Sequence, residues 1–247
     1  MTALILALVA GAVVGLALGG LGGGGSVLAV PALTYLIGMA PAEAITASLI
    51  IVALTSITAL TGHARDGNVA WRTGLLFAAA GIVPAMLVGT AAGHLPQAGL
   101  TLAFAAVAAL AALRMLRPAP APATGGIRPA RAGAAGAGLG AVTGLLGVGG
   151  GFLAVPALTR VLNLPVRRAI GTSLLVITVN SLAALGARAG TGTPLDWSVI
   201  APFTAAAVLG AWDGKRYAQR LSGDTLRRLF AYALLAVAAF MLADALI

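Results

Sequence analysis

Apolar residues run along most of this chain in stretches too continuous for one face of a soluble helix, and polar residues gather in the gaps between them. Ten such segments are legible: about Thr2–Gly20, Ser26–Gly38, Glu43–Gly62, Arg72–Gly93 and Ala98–Leu116 in the first half, then Ala132–Leu146, Gly151–Leu162, Ala169–Ala187, Trp197–Trp212 and Asp224–Leu246. At 1.5 Å per residue, the third, fourth and fifth reach about 30 Å, the depth of a bilayer's hydrocarbon core. The second is about a dozen residues and reaches some 18 Å, too short to cross unaided. The pattern predicts an all-α integral membrane protein.

The two sets of five are copies of one unit. GGGGSVLAVPALT, starting at Gly22, returns as GVGGGFLAVPALT, starting at Gly147, an offset of 125 positions that carries Pro31 onto Pro156. Upstream, Gly11, Gly15 and Gly19 map onto Gly136, Gly140 and Gly144; downstream, Ser48 maps onto Ser173, Ser56 onto Ser181 and Gly67 onto Gly192. After one inserted residue, Trp71 meets Trp197 and Phe77 meets Phe203. Residues 1–117 and 132–247 are thus two repeats, and 118–131, rich in alternating Pro and Ala, is an extended connector. Together the repeats are expected to make one domain.

Composition sharpens this picture. Of 247 residues, 60% are hydrophobic and 9% charged, far below the charged share of roughly a quarter in soluble domains, so neither a soluble globule nor a disordered linker fits. The chain has no cysteine, which removes disulfides, thiolate metal sites and cysteine nucleophiles. No Lys or Arg precedes Arg65, so the first segment lacks the basic start of a signal peptide and is expected to belong to the fold.

The net charge of +9 is a topology signal. Basic nucleic-acid surfaces interleave aromatics, and these are only 5% here, so no nucleic-acid partner is expected. If the first two segments of each copy form a pair, either two crossings or a re-entrant hairpin, every Lys and Arg except Arg188 falls on one side. If the short segment adds no return, the basic residues split almost evenly. The positive-inside rule selects the first arrangement: two inverted repeats of about five segments each, both termini outside and the connector cytoplasmic.

The Gly-rich tips are the candidate chemistry. Gly24, Gly25 and Ser26, and their counterparts Gly149, Gly150 and Gly151, precede short helices whose first N–H groups lack intrahelical partners and carry partial positive charge, which suits an anion. Pro31 and Pro156 should loosen those helices. Polar residues of the third segments, Ser48, Thr55 and Ser56 with Thr172, Ser173, Asn180 and Ser181, could complete the wall of a cavity near the midplane. Neutral donors suit an anion that must also leave. Glu43 and His63 are the candidates for proton coupling. The spaced glycines of the first segments read as helix-packing stripes. No metal-ligand spacing, phosphate-binding loop or cofactor motif occurs, and no enzyme activity is expected.

GGGGSVLAVPALT followed by PAEAITASL and GHARDGNVAW, with GVGGGFLAVPALT and RRAIGTSLLVITVNSLAAL in the second copy, resembles the sulfite exporter TauE/SafE family across both halves. The tips are not identical, since Ser26 stands where the second copy has Gly151 and Gly23 faces Val148. The resemblance implies a multi-pass permease of a bacterial-type inner membrane that exports sulfite or a small organosulfonate. The expected function is a secondary transporter working by alternating access, its partners a sulfur oxyanion and the bilayer, with a homo-oligomer left open. An anion channel and a non-transporting membrane scaffold are the alternatives.

Overall fold

The computed structural model describes residues 2–92, 97–117, 129–146, 151–188 and 194–246. Among them, ten α-helices account for nearly every residue: α1 (Thr2–Leu21), α2 (Gly24–Pro31), α3 (Pro41–Arg65), α4 (Trp71–Ala92), α5 (Gln97–Leu116), α6 (Pro129–Leu146), α7 (Gly151–Arg160), α8 (Val166–Arg188), α9 (Trp197–Arg220) and α10 (Gly223–Leu246). Among the described residues, five apolar spans are long enough to cross a membrane: Leu4–Leu21, Glu43–Arg65, Trp71–Val88, Val166–Arg188 and Gly223–Ala243. The helices follow the ten apolar segments with shifted ends. α9 runs eight residues past Trp212, and α6 starts at Pro129, inside the stretch read as connector, because proline is well suited to a first helical turn.

The short helices end alike in both copies. Pro31 has no N–H to continue α2, and the chain widens into a π-helical turn over Ala32–Leu36. Gly38 then takes a left-handed φ of 81°, and the Met39 N–H closes back on the Leu33 carbonyl at 3.0 Å. In the second copy Asn163 takes φ 52° and the Leu164 N–H closes on Leu158 at 3.0 Å, each residue 125 positions on. Asparagine tolerates this region better than other side chains, so the cap survives the exchange.

Glycine sets the main helix contacts, and these cross between copies. A Cβ on Gly11, Gly15 or Gly19 of α1 would strike the backbone of Phe203, Ala207 or Ala211 of α9. One on Gly136 or Gly140 of α6 would strike Phe77 or Gly81 of α4, the corresponding positions of the other copy. Both pairs step upward together and are parallel. α3 also runs with α9, since Asp196 N–H donates to Glu43 Oε1 at one end and Lys215 Nζ to the Gly62 carbonyl at the other.

α3 and α8 run oppositely. Thr46 lies against Arg188, Ser56 against Thr178 and His63 against Gly171, rising on one helix as they fall on the other. α4 starts beside Thr172 and follows α8. Hence α1, α3 and α9 point one way, and α4, α6 and α8 the other. Each first, third and fourth helix opposes its counterpart. Two apolar cores result, one centred on Phe77, Leu158, Ile170 and Phe230, the other on Leu18, Leu33, Ile51, Leu174 and Phe203.

Candidate functional site

The tip between α1 and α2 is tighter than the glycine run suggests. Only Gly22 and Gly23 form the turn, and Gly24, Gly25 and Ser26 are already the first residues of α2. The expectation that Gly24, Gly25 and Ser26 precede the helix is corrected: Gly22 alone supplies the left-handed reversal, at φ 69°, and its neighbours are free to be helical. A Cβ on Gly22 would come 2.6 Å from Ser173 Oγ and 3.2 Å from the Ile170 carbonyl. The first copy's tip is therefore seated on the second copy's third helix. Gly151 begins α7, while Gly149 and Gly150 lie outside the described residues.

The hydroxyls of the third helices are buried, and most are committed to their own backbone. Ser48 Oγ donates to Ile45, Thr55 Oγ1 to Ile51 at 2.6 Å, and Ser173 Oγ to Ile170 at 2.7 Å, as small polar side chains in membrane helices commonly do. Thr172 Oγ1 instead accepts from the Ala70 N–H at 3.0 Å, tying the start of α4 to α8. Ser56 Oγ meets Thr178 Oγ1 at 2.9 Å across the α3–α8 crossing. Ser181 is buried on the same helix.

These residues occupy three levels, not one pocket. The antiparallel register puts Ser48 near one end, Gly22, Ser173 and His63 toward the other, and Ser56, Thr178, Thr55 and Asn180 in the middle. Thr55 and Asn180 are repeat counterparts, and the register brings them to adjacent levels where the two helices are related to each other. Asn180 Oδ1 is buried there with no hydrogen-bond partner. An unsatisfied amide at a helix crossing costs about 1–3 kcal/mol unless something occupies it, and rotation of the amide would present its NH₂ instead.

His63 sits beside the tip. Its Nε2 donates to the Gly19 carbonyl at 3.3 Å, which leaves Nδ1 as a buried acceptor with no partner. One turn on, Lys215 Nζ reaches Asp66 Oδ2 at 2.8 Å and the Gly62 carbonyl at 2.7 Å, while Gln219 Nε2 donates to the same Asp66 oxygen at 2.7 Å. The Lys215 bond holds the Asp66 carboxyl below the usual aspartate value. Glu43 lies at the far end of α3, accepting from the Asp196 backbone at 2.9 Å as Asp196 caps α9. Sequence reasoning placed Gly22 in the glycine run but not among the site residues, and it did not single out Thr178, Asp66 or Lys215. Only Gly22 carried a signal, as the first member of the glycine run.

A model of the sulfite exporter TauE/SafE family matches residues 7–241. The chain belongs to this family. Two relatives, from Xylella fastidiosa strains Temecula1 and 9a5c, are each 35% identical over 97% of this chain and 95% of their own length, and each is named "Probable membrane transporter protein". No solved structure matches significantly. This TauE/SafE chain is a multi-pass membrane transporter. Its apolar helices supply the spans, and among the described residues most buried polar side chains lie on α3 and α8, with Thr143, Thr159 and Arg227 elsewhere.

Proposed function

We propose that the protein exports a small sulfur oxyanion, sulfite or an organosulfonate, by alternating access between two repeats that are inverted in the membrane. The observation that carries this reading is the delivery of the α2 N-terminus, through Gly22, onto Ser173 of the other copy, in a chain of the sulfite exporter family. The first N–H groups of α2 offer uncharged anion ligands. A tip held by the opposite repeat is a part whose environment changes when the repeats move against each other.

Inversion is supported by the opposed directions of α1 and α6, α3 and α8, and α4 and α9. The charge distribution agrees with it: with the connector inside and both termini outside, fourteen of the fifteen basic residues fall on the cytoplasmic side, as the positive-inside rule favours. That orientation puts His63, Lys215, Arg167 and Arg168 around the inner mouth and Glu43 at the outer one. Cations inside collect the anion, and a carboxylate outside disfavours its return. The membrane potential then drives exit by about 2.3 kcal/mol per charge per 100 mV. His63 Nδ1, a buried acceptor beside the tip, is the better placed proton carrier, because Glu43 is engaged with the α9 backbone. The second tip, Gly149 to Gly151, is assigned the corresponding role from the outer side.

Counterflow of radiolabelled sulfite in proteoliposomes of the purified protein tests the reading. Saturable, trans-stimulated uptake is expected. Flux that does not saturate would make the protein a channel, and no flux for sulfite or organosulfonates beside a working control would remove the substrate.

A further inference from the structure

Arg227, in the first turns of α10, is only 7% exposed, yet its charge is poorly matched. One nitrogen, Nη2, lies 3.1 Å from Asp224 Oδ1, but that carboxylate is 76% exposed and shared with water. The Arg227 Nε is buried with no partner at all. A second guanidinium stands close by. Arg160, the last residue of α7, donates from Nη2 to the Met115 carbonyl at 3.2 Å and the Arg117 carbonyl at 2.5 Å, so it closes the end of α5. Burial, then the charges of Arg227 and Arg117, lower Arg160 below the ordinary arginine value. The Arg160 guanidinium thus feels both Arg227 and Arg117 where α5 and α7 finish and α10 begins, and the carboxylate that pairs with Arg227, Asp224, is exposed.

We propose that this junction binds a phosphate group, with the buried Arg227 fork as its main ligand and Arg117 and Arg160 completing the charge. A phosphate offers several acceptor oxygens to the Arg227 fork, whose Nε is unpartnered, and its geometry matches guanidinium forks. Displacing the exposed Asp224 costs little, since water already solvates it. The surroundings favour an anionic phospholipid headgroup as the source: Leu110 and Leu113 of α5 and Leu229 and Tyr232 of α10 are all exposed on the helices that carry the arginines, where acyl chains would lie. Basic pockets between membrane helices bind such headgroups by this combination. The site is separate from the α3–α8 seam, and its test does not depend on transport.

The full chain, purified in detergent and stripped of lipid, is unfolded thermally with phosphatidylglycerol, phosphatidylcholine or glycerol 3-phosphate. Phosphatidylglycerol at saturation is expected to raise Tm by about 5 °C or more, and phosphatidylcholine to add little. Arg227→Lys, which keeps a charge but loses the fork, should remove at least half of that rise. Arg117→Gln, at an exposed position whose backbone contact remains, should reduce it as well and decides the matter if Arg227→Lys does not fold. An equal rise from glycerol 3-phosphate keeps the site and makes free phosphate esters its source. Equal rises from the two lipids, no rise from any of the three, or a full rise in Arg117→Gln together with any folded Arg227→Lys, would overturn the proposal.

Discussion

His63 and Arg188 are the same position in the two copies, yet they stand at opposite ends of the α3–α8 pair: His63 packs on Gly171, and Arg188 Nη1 reaches Thr46 Oγ1 at 3.4 Å. Thr46 is in turn the counterpart of Gly171. One contact has therefore become a permanent charge at one end and a titratable ring at the other. If His63 carries the coupling proton, His63→Asn should lower transport severalfold and flatten its dependence on pH between about 5 and 8. Flux measured in proteoliposomes across that range checks this, and an unchanged profile would exclude a proton role for the ring.

The Asp66–Lys215 pair joins the ends of α3 and α9 and has a defined acid response. Because the folded carboxyl titrates below its ordinary value, the pair's contribution is complete above about pH 4 and is lost as pH falls through the lower folded value. Asp66 is about a third exposed, so screening keeps the effect small. Asp66→Asn should lower Tm by about 2 °C at pH 7, with the difference closing near pH 2 and in about 1 M salt. Thermal unfolding at two pH values and two salt concentrations measures it. A difference that persists at low pH would assign the pair no electrostatic role.

Most of the fold was legible because the bilayer imposes long apolar runs and the duplication shows where each run recurs. The helices agree with the apolar segments to within a few residues over most of the chain. What was not legible lies in tertiary placement. Gly24 and Gly25 read as loop by propensity, but Gly22 takes the whole reversal and releases them into α2. Thr178 escaped notice because its counterpart is Ala53, so comparison of the copies gave it no emphasis. Asp66 and Lys215 are far apart in sequence, and only the parallel course of α3 and α9 joins them.

The glycine stripes separate positions that must be small from those that need not be. Gly15→Ala in α1 and Gly140→Ala in α6 would each force a methyl into the backbone of the facing helix, at Ala207 and Gly81. Each should cost at least about 1–3 kcal/mol and reduce the yield of folded protein. Gly133→Ala and Gly138→Ala, on α6 as well, meet nothing within 4 Å and should be neutral or slightly stabilising. Monodispersity and Tm of the four variants make the comparison, and similar losses in all four would mean that close helix approach is not what the glycines supply.

Gly22→Ala combines two penalties, a left-handed backbone worth about 1–2 kcal/mol and a contact with Ser173 Oγ. Ser173→Ala in the same chain removes the Oγ contact and leaves the left-handed backbone and the Ile170 carbonyl contact, so thermal unfolding of the double variant should show only part of the lost stability recovered; if the start of α2 binds the anion as proposed, its flux in proteoliposomes should stay low.

At the centre of the seam, Thr55 and Asn180 differ in what their polar atoms already do. The Thr55 hydroxyl is satisfied by the Ile51 carbonyl, and Thr55→Val keeps its shape, so transport should change by less than about twofold. Asn180 Oδ1 has no partner, so if the anion of the proposed function passes this level, the amide is free to turn toward it. Asn180→Leu removes that donor while filling the space; it should raise KM for the anion by tenfold or more, the cost of about 1.4 kcal/mol of lost binding, and leave Tm unchanged or higher because an unsatisfied buried group is gone. Counterflow kinetics with parallel unfolding curves separate these effects. A KM equal to that of the wild type would take Asn180 out of the proposed anion path.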